Sequence, residues 1–178
     1  LWDYQMAERP GWATYEGNRK YDAELADKSD EAEEAYLTRV EEFAQQAAAI
    51  DPKPLDSFDQ DTRAMLILEA KRLRAQQVCH GSWWGVNGLG GPQVSYPMLP
   101  VFFSIRNEAD LANLERRYRA TGVQIDQIIA NLTRGVSNGY APTKSNLERA
   151  LKQLDVYLAS PVDGDPMLKL NVATEGTI

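Results

Sequence analysis

The chain has 178 residues, of which 43% are hydrophobic and 25% are charged, and its formal net charge is −7. This length predicts one domain or part of a larger one. No apolar run approaches the ~18–20 residues of a membrane span, which excludes a membrane-spanning helix. The single cysteine, Cys79, excludes an internal disulfide framework and a multi-cysteine zinc site.

The charge is unevenly distributed along the chain. Residues 1–60 contain 15 acidic and 6 basic residues, a net charge of −9, whereas residues 61–178 have a net charge of +2. An acidic segment of this kind repels a phosphate backbone, so nucleic acid is a poor partner. We interpret the acidic segment as a solvated surface.

Helical patterns dominate the first eighty residues. A short helix is predicted over residues 1–8, followed by an irregular stretch over 9–29. Asp30 and Ser57 are predicted to cap two longer helices, each with a Glu or Gln three residues later. Their apolar residues recur at helical spacing, and the predicted inward positions are Tyr36, Val40, Phe43, Ala47 and Ile50, then Met65, Leu66, Leu73 and Val78. A short proline-rich turn between the two helices predicts an antiparallel hairpin.

Residues 80–106 form a long connection rich in glycine, proline and aromatic residues. Such a segment either packs over a core or forms part of a binding wall. Trp83 and Trp84, beside several glycines, are the most suggestive pair for a ligand wall. No strand pattern is convincing in this region.

Three further helices are predicted after this connection. Asn107 caps the first, and a second capping box at Thr121–Gln124 is expected to open a separate helix that ends at Asn138-Gly139. The last begins at Ser145 or at Thr143. Its apolar stripe consists of Leu147, Leu151, Leu154 and Leu158. The predicted fold is therefore mainly α, with antiparallel amphipathic helices around a long loop.

The catalytic motifs that the chain contains lack their required context. His80 is the only histidine, and its adjacency to Cys79 makes their side chains diverge on a helix. The G-x-S-x-G match around Ser137 lies at the end of a predicted helix rather than on a strand-turn-helix. The glycines at 88–91 lack the strand and the Lys-Ser/Thr pair of a phosphate loop. The arginines at 116, 117 and 119 are interpreted as a solvated helix face.

The order of several motifs resembles one bacterial family. Residues 13–29 read ATYEGNRKYDAELADKS, similar to the opening of proteins with "domain of unknown function 885". The family's later features match a hairpin segment from Asp59 to Arg72 and an N-x-x-x-G-x-Q loop from Asn87 to Gln93. They also match the cap at 107–110 and an L-x-x-G-x-x-x-G-x-x-P pattern over 132–142. The resemblance covers residues 10 to about 160.

The resemblance implies an N-terminal helical subdomain of a larger metallopeptidase-like protein, with residues 1–178 as one unit. The family's zinc motif, a His-Glu pair followed by Pro-Gly-His-His, belongs to a C-terminal half and matches nothing in this sequence. No catalytic or metal-binding residue is therefore carried over, and zinc is expected only in the complete protein. The resemblance also implies export to the bacterial periplasm or beyond, or a lipid anchor.

Two functions follow as expectations. In the first, the chain shapes the substrate groove of a zinc-dependent peptidase or amidase-like hydrolase. Trp83, Trp84 and Asn87 would form the wall of that groove, and the partner would be the C-terminal half of the same protein. In the second, the chain is a stand-alone helical binding or interaction module without catalysis.

Overall fold

The computed structural model describes residues 1–173, which form a mainly α-helical fold. The helices are α1 (Trp2–Glu8), α2 (Pro10–Tyr15), α3 (Asp30–Ala49), α4 (Ser57–Gln76), α5 (Pro92–Ser95), α6 (Leu99–Phe102), α7 (Glu108–Ser137) and α8 (Lys144–Ala159). Short 3₁₀ turns lie at Arg19–Tyr21, Gln77–Cys79, Gly81–Trp83, Val162–Gly164 and Pro166–Leu168. Two strands of two residues each, β1 (Ser104–Ile105) and β2 (Asn171–Val172), pair in parallel. The predicted fold class is confirmed.

Helices α3 and α4 form the predicted antiparallel hairpin. Near its closed end, the Arg63 guanidinium in α4 donates to the Ala47 carbonyl at 2.8 Å. Near its open end, Arg74 pairs with Glu34 and Glu41 of α3. Apolar contacts between the helices centre on buried Val40, Ala44 and Ala70. Three residues that were expected to face inward are exposed, namely Met65, Val78 and Ile50. The stripe of residues that each helix buries is narrower than the stripe of apolar residues in its sequence.

The caps of these two helices are each one residue earlier than predicted. The Ser29 hydroxyl, not the Asp30 carboxylate, accepts from the Ala32 amide at 3.2 Å. The Asp56 carboxylate, not the Ser57 hydroxyl, accepts from the Asp59 amide at 2.8 Å. An N-cap residue has extended backbone angles, and both capping residues have them, whereas Asp30 and Ser57 already lie inside the helices.

Helix α7 runs for 30 residues without the break predicted at Thr121. The Thr121 hydroxyl donates to the Tyr118 carbonyl at 2.6 Å, so it is satisfied within the helix and caps nothing. The predicted cap at Asn107 is confirmed, and of the two alternatives for α8 it is Thr143, not Ser145, that caps the helix. The two side chains accept from the Asp110 and Asn146 amides.

The buried face of α7 is largely polar, which the apolar pattern did not indicate. Its buried residues are Asp110, Leu114, Arg117, Gln124, Asn131 and Gly135, whereas the exposed fractions of Ile129 and Val136 are 55% and 66%. The interpretation of Arg117 as solvated was wrong, since only 2% of this residue is exposed. The polar face lies against the N-terminal segment, whose backbone carbonyls need hydrogen-bond donors.

The N-terminal segment is more ordered than the irregular stretch predicted over residues 9–29. It contains α2 and a 3₁₀ turn at Arg19–Tyr21, and three side chains of α7 hold it in place. Arg117 donates to the Tyr21 carbonyl at 3.0 Å, Gln124 to the Ala26 carbonyl at 2.6 Å and Asn131 to the Lys28 carbonyl at 2.7 Å. The segment therefore takes much of its order from α7 rather than from its own sequence pattern.

Helix α8 packs on α5 and the preceding glycine-rich loop through a single buried residue, Ala150. Its four leucines, which we call the leucine face, remain outside this buried contact. The exposed fractions are 43% for Leu147, 50% for Leu151, 37% for Leu154 and 77% for Leu158. Among the described residues, this face is only partly covered.

Candidate substrate groove

A groove of about 830 Å³ runs between α8, the loop at residues 87–93 and the turns at 160–166. This volume is within the range of small-molecule sites. Asn87 is the only one of the three predicted wall residues that lines it. We call this feature the α8 groove.

Asn87 organises the loop wall of the α8 groove. Its side-chain oxygen accepts from the backbone amides of Leu89, at 2.8 Å, and Gly90, at 3.0 Å. Its own carbonyl accepts from the Gln93 side chain at 2.8 Å. Asn87 therefore fixes the shape of the wall. Because its side-chain oxygen is held by these two amides, the direction of its side-chain nitrogen is fixed as well.

Two glutamines join this loop to α8. Gln93 donates to the Gln153 side chain at 3.2 Å, and Gln153 donates to the Gly88 carbonyl at 2.9 Å. Gly88 itself packs on the aliphatic stem of Arg149, because an added Cβ there would lie 3.3 Å from the Arg149 Cβ. The loop and the basic side of α8 are thus one connected unit.

The far wall is made by the turns that follow α8. Tyr157 donates to the Asp165 carboxylate at 2.8 Å, and Asp165 also accepts from the Met167 amide at 2.8 Å. Burial and the neighbouring Asp165 carboxylate raise the pKa of Tyr157. The hydroxyl therefore stays protonated and keeps this turn closed on the helix.

Trp83 lies away from the α8 groove, in an aromatic cluster with His80 and Tyr140. Its ring stacks on His80, with centroids 4.0 Å apart, and meets Tyr140 edge-on at 5.5 Å. Its backbone packs so closely on α7 that a Cβ at Gly135 would lie 2.2 Å from the Trp83 carbonyl oxygen. Trp83 thus has a packing role, and His80 is part of the same cluster.

Trp84 is 40% exposed, and its indole N–H donates to the Cys79 carbonyl at 2.8 Å. The two tryptophans and Asn87 therefore lie in three different environments. The structure does not bring them together in one wall. Their assignment to substrate binding stays a prediction.

Reasoning from the sequence missed the α8 side of the groove. Arg149, Lys152 and Gln153 line it, together with Val156 and Tyr157. The only available signal was their spacing of three and four residues, which places them along one side of a helix. Basic residues on the polar face of a helix have the same pattern on an ordinary solvated surface.

A second groove, of about 700 Å³, lies between α3, residues 25–29, the glycine-rich loop and α7. Several of its polar side chains form hydrogen bonds within the chain. Tyr96 donates to Gln124 at 2.8 Å, and Glu33 accepts from Gln77 and Ser82. These bonds hold the hairpin, the loop and α7 together.

Neither the motif around Ser137 nor a metal site emerges from the geometry of residues 1–173. Ser137 lies at the end of α7, as predicted, and its hydroxyl donates to the Thr133 carbonyl at 3.0 Å. Within the described residues, no group of three or more His, Cys, Asp or Glu side chains is arranged to hold a metal ion. None of the described helices is both long and apolar enough to cross a membrane.

Comparison with known proteins agrees with the resemblance found in the sequence. A search of curated proteins finds no match to this chain. A family model described as "bacterial protein of unknown function (DUF885)" matches residues 10–176, beyond the 10–160 over which the motifs were recognised. The chain therefore belongs to the DUF885 family of bacterial proteins of unknown function.

Proposed function

We propose that this chain is the non-catalytic, groove-forming portion of a zinc-dependent peptidase or amidase-like hydrolase. In this proposal the zinc ligands and the carboxylate base are carried by a partner portion of the same protein, outside residues 1–178. A metal-bound water would supply the nucleophile there. This chain would provide the walls that position the substrate.

The leucine face of α8 is the observation that carries the proposal. Four leucines at helical spacing form the apolar stripe that a helix normally buries. Here α8 contacts its own chain through Ala150 instead, so the stripe is left for another surface. Large exposed apolar patches mark protein–protein contacts.

The total surface supports the same interpretation. The chain has an accessible surface of 11900 Å², whereas a compact monomer of this mass has about 8700 Å². The excess of about 3200 Å² is about four times the ~800 Å² that each partner buries in an ordinary protein–protein interface. Contact with a partner portion would reduce this excess.

The groove-forming role is assigned to the loop between α4 and α7. Asn87 shapes one wall of the α8 groove, and the glutamine pair ties that wall to α8. Trp84 is half-exposed and can add an apolar surface beside the loop, while Trp83 supports the loop from behind. The proposed substrate is a peptide or another amide, and the proposed location is the bacterial periplasm or the cell exterior.

The test is hydrolysis by the protein as its bacterium produces it. We expect the purified protein to cleave peptide substrates, to lose this activity with a zinc chelator and to regain it when zinc is added. Replacing Leu151 and Leu154 with Asp should abolish the activity because the partner portion no longer docks. Replacing Phe58, an exposed residue of α4 (76%), with Asp is the matched control and should leave it unchanged. Activity that is indifferent to chelators would contradict the proposal.

The second candidate function is a stand-alone helical binding module. The α8 groove favours it, because hydrogen bonds of Gln93 and Gln153 hold the walls of this groove together within the chain. A binding module would retain ligand affinity without any partner. It would also be soluble and monodisperse on its own.

A further inference from the structure

We propose that the α8 groove binds an apolar molecule that ends in a single carboxylate, with Arg149 and Lys152 as the groups that recognise the carboxylate. This inference concerns binding by the present chain alone. It does not depend on the hydrolase proposed above.

Two basic side chains stand side by side on α8 at the groove. Arg149 and Lys152 are three residues apart on α8, which places their Cβ atoms about 5–6 Å from each other on one side of the helix. Both line the groove. Among the described residues, neither has an ion-pair partner, although ten other basic–acidic pairs are formed. Two adjacent cations without a carboxylate partner are suited to an external anion.

Arg149 is packed along part of its side chain. Its aliphatic stem lies against Gly88, where an added Cβ would be only 3.3 Å from the Arg149 Cβ. The Gly88 loop is itself fixed to α8 through Gln153. Because the stem is packed, less side-chain freedom is lost when the guanidinium holds a ligand.

An apolar surface lies beside the two cations. Val156 and Val162 line the groove, and their exposed fractions are 63% and 74%. Pro161 continues this surface. A hydrocarbon or an apolar side chain that covers these groups gains about 25 cal/mol for each Å² removed from water. An anion without an apolar body would leave this surface unused.

The charge balance favours a monoanion. Asp165 is the only acidic residue in the lining, so the charged groups of the groove sum to +1. The Asp165 carboxylate accepts from Tyr157 and from the Met167 amide, which holds it in place in the far wall. A dianion such as phosphate would meet this fixed negative charge, whereas a carboxylate matches the net charge.

The experiment is a titration of the 178-residue chain, monitored through amide chemical shifts in NMR spectra. The probes are octanoate, as a fatty-acid carboxylate, and acetyl-Ala-Ala-Leu, as a peptide C-terminus. Their neutral counterparts are octanol and the C-terminal amide of the same peptide. We expect at least one of the two carboxylates to bind saturably and to shift the amide signals of α8 and of residues 87–91. We also expect it to bind about tenfold more tightly than its neutral counterpart. The probe that binds identifies the source of the carboxylate.

Two double variants decide which residues are responsible. Arg149→Ala with Lys152→Ala should weaken carboxylate binding about tenfold or more. Lys71→Ala with Lys144→Ala removes the same charge outside the groove and should leave the affinity within about twofold. Circular dichroism confirms that both variants keep their helices.

Several outcomes would overturn the proposal. Equal binding of the neutral counterparts would show that the apolar surface alone holds the ligand and would remove the role of the cations. Unchanged binding in the Arg149/Lys152 variant would do the same. Absence of saturable shifts with both carboxylates, or tighter binding of inorganic phosphate than of either carboxylate, would also refute it.

Discussion

The Arg117 guanidinium donates a hydrogen bond of 2.9 Å to the hydroxyl of Thr14, 103 residues earlier in the chain. Both residues are buried, and the Thr14 hydroxyl in turn donates to the Asp22 carboxylate at 2.8 Å. Burial lowers the pKa of Arg117, and the nearby Asp22 charge opposes this effect. The contact joins the middle of α7 to the segment that opens the family's sequence pattern.

Replacing Arg117 with Met should destabilise the chain by about 3 kcal/mol, because buried polar partners lose their donor. Urea unfolding followed by circular dichroism measures this change. Arg119→Met is the matched control on the same helix: its side chain is 77% exposed, so we expect a change of about 0.5 kcal/mol or less. Equal effects of the two variants would show that Arg117 does not hold the segment.

Two glycines of α7 should respond in opposite directions to alanine. At Gly135 the added Cβ would lie 2.2 Å from the Trp83 carbonyl oxygen, so the loop must move and the chain should lose about 2 kcal/mol or more. At Gly122 the added Cβ meets nothing within 4 Å, so alanine should stabilise the helix by about 1 kcal/mol. Thermal unfolding of the two variants measures both effects, and a stable Gly135→Ala chain would contradict the close approach of Trp83.

Asp110 should make the fold sensitive to acid. Its burial alone would raise the pKa, but hydrogen bonds from the Arg106 side chain and backbone, with the charges of Arg19 and Arg106, bring the pKa below the ordinary 3.8. A depressed pKa favours the folded state above pH 3.8, and this stabilisation is lost as the pH falls through the folded-state pKa. Asp110→Asn should therefore lower stability at pH 7 and flatten its decline below about pH 4.

Urea midpoints measured from pH 7 to pH 2 test this expectation. Asp126→Asn, an exposed position on the same helix, is the control and should follow the native profile. An unchanged acid limb in Asp110→Asn would show that other carboxylates dominate.

The leucine face should contribute little to the stability of this chain by itself. Leu151 and Leu154 are 50% and 37% exposed, so replacing both with Ser should cost about 1 kcal/mol or less while reducing self-association. Leu114→Ala, at a position only 1% exposed, should cost about 2–5 kcal/mol. Unfolding and light scattering on the same samples separate the two effects. A large loss of stability in the Leu151/Leu154 variant would show that the leucine face is packed within this chain.

The helices and several of their ends could be predicted because they depend on local chemistry. The caps at Asn107 and Thr143 are examples, since each cap joins a side chain to an amide three residues later. The polar buried face of α7 could not be predicted in this way. Arg117 is buried because backbone carbonyls about a hundred residues away need donors, and no local pattern contains that information.

The candidate site was predictable only in part. Asn87 stands in a recognisable glycine-rich loop, whereas Arg149 and Lys152 resemble any basic pair on a helix. Their significance depends on where α8 packs, and that packing is set by Ala150 and by the glutamine pair at 93 and 153. The two tryptophans stood out in the sequence because they lie beside several glycines, yet the structure places them in different surroundings. Trp83 packs closely on α7 because Gly135 has no side chain.

Native mass spectrometry with metal analysis of the same fraction tests the central proposal most directly. The sample is the protein purified under non-denaturing conditions from the bacterium that produces it. We expect this sequence to occur in a species heavier than 19.9 kDa that contains zinc. A monodisperse, metal-free species of 19.9 kDa would contradict the proposal and would leave the chain as a binding module that acts through the α8 groove.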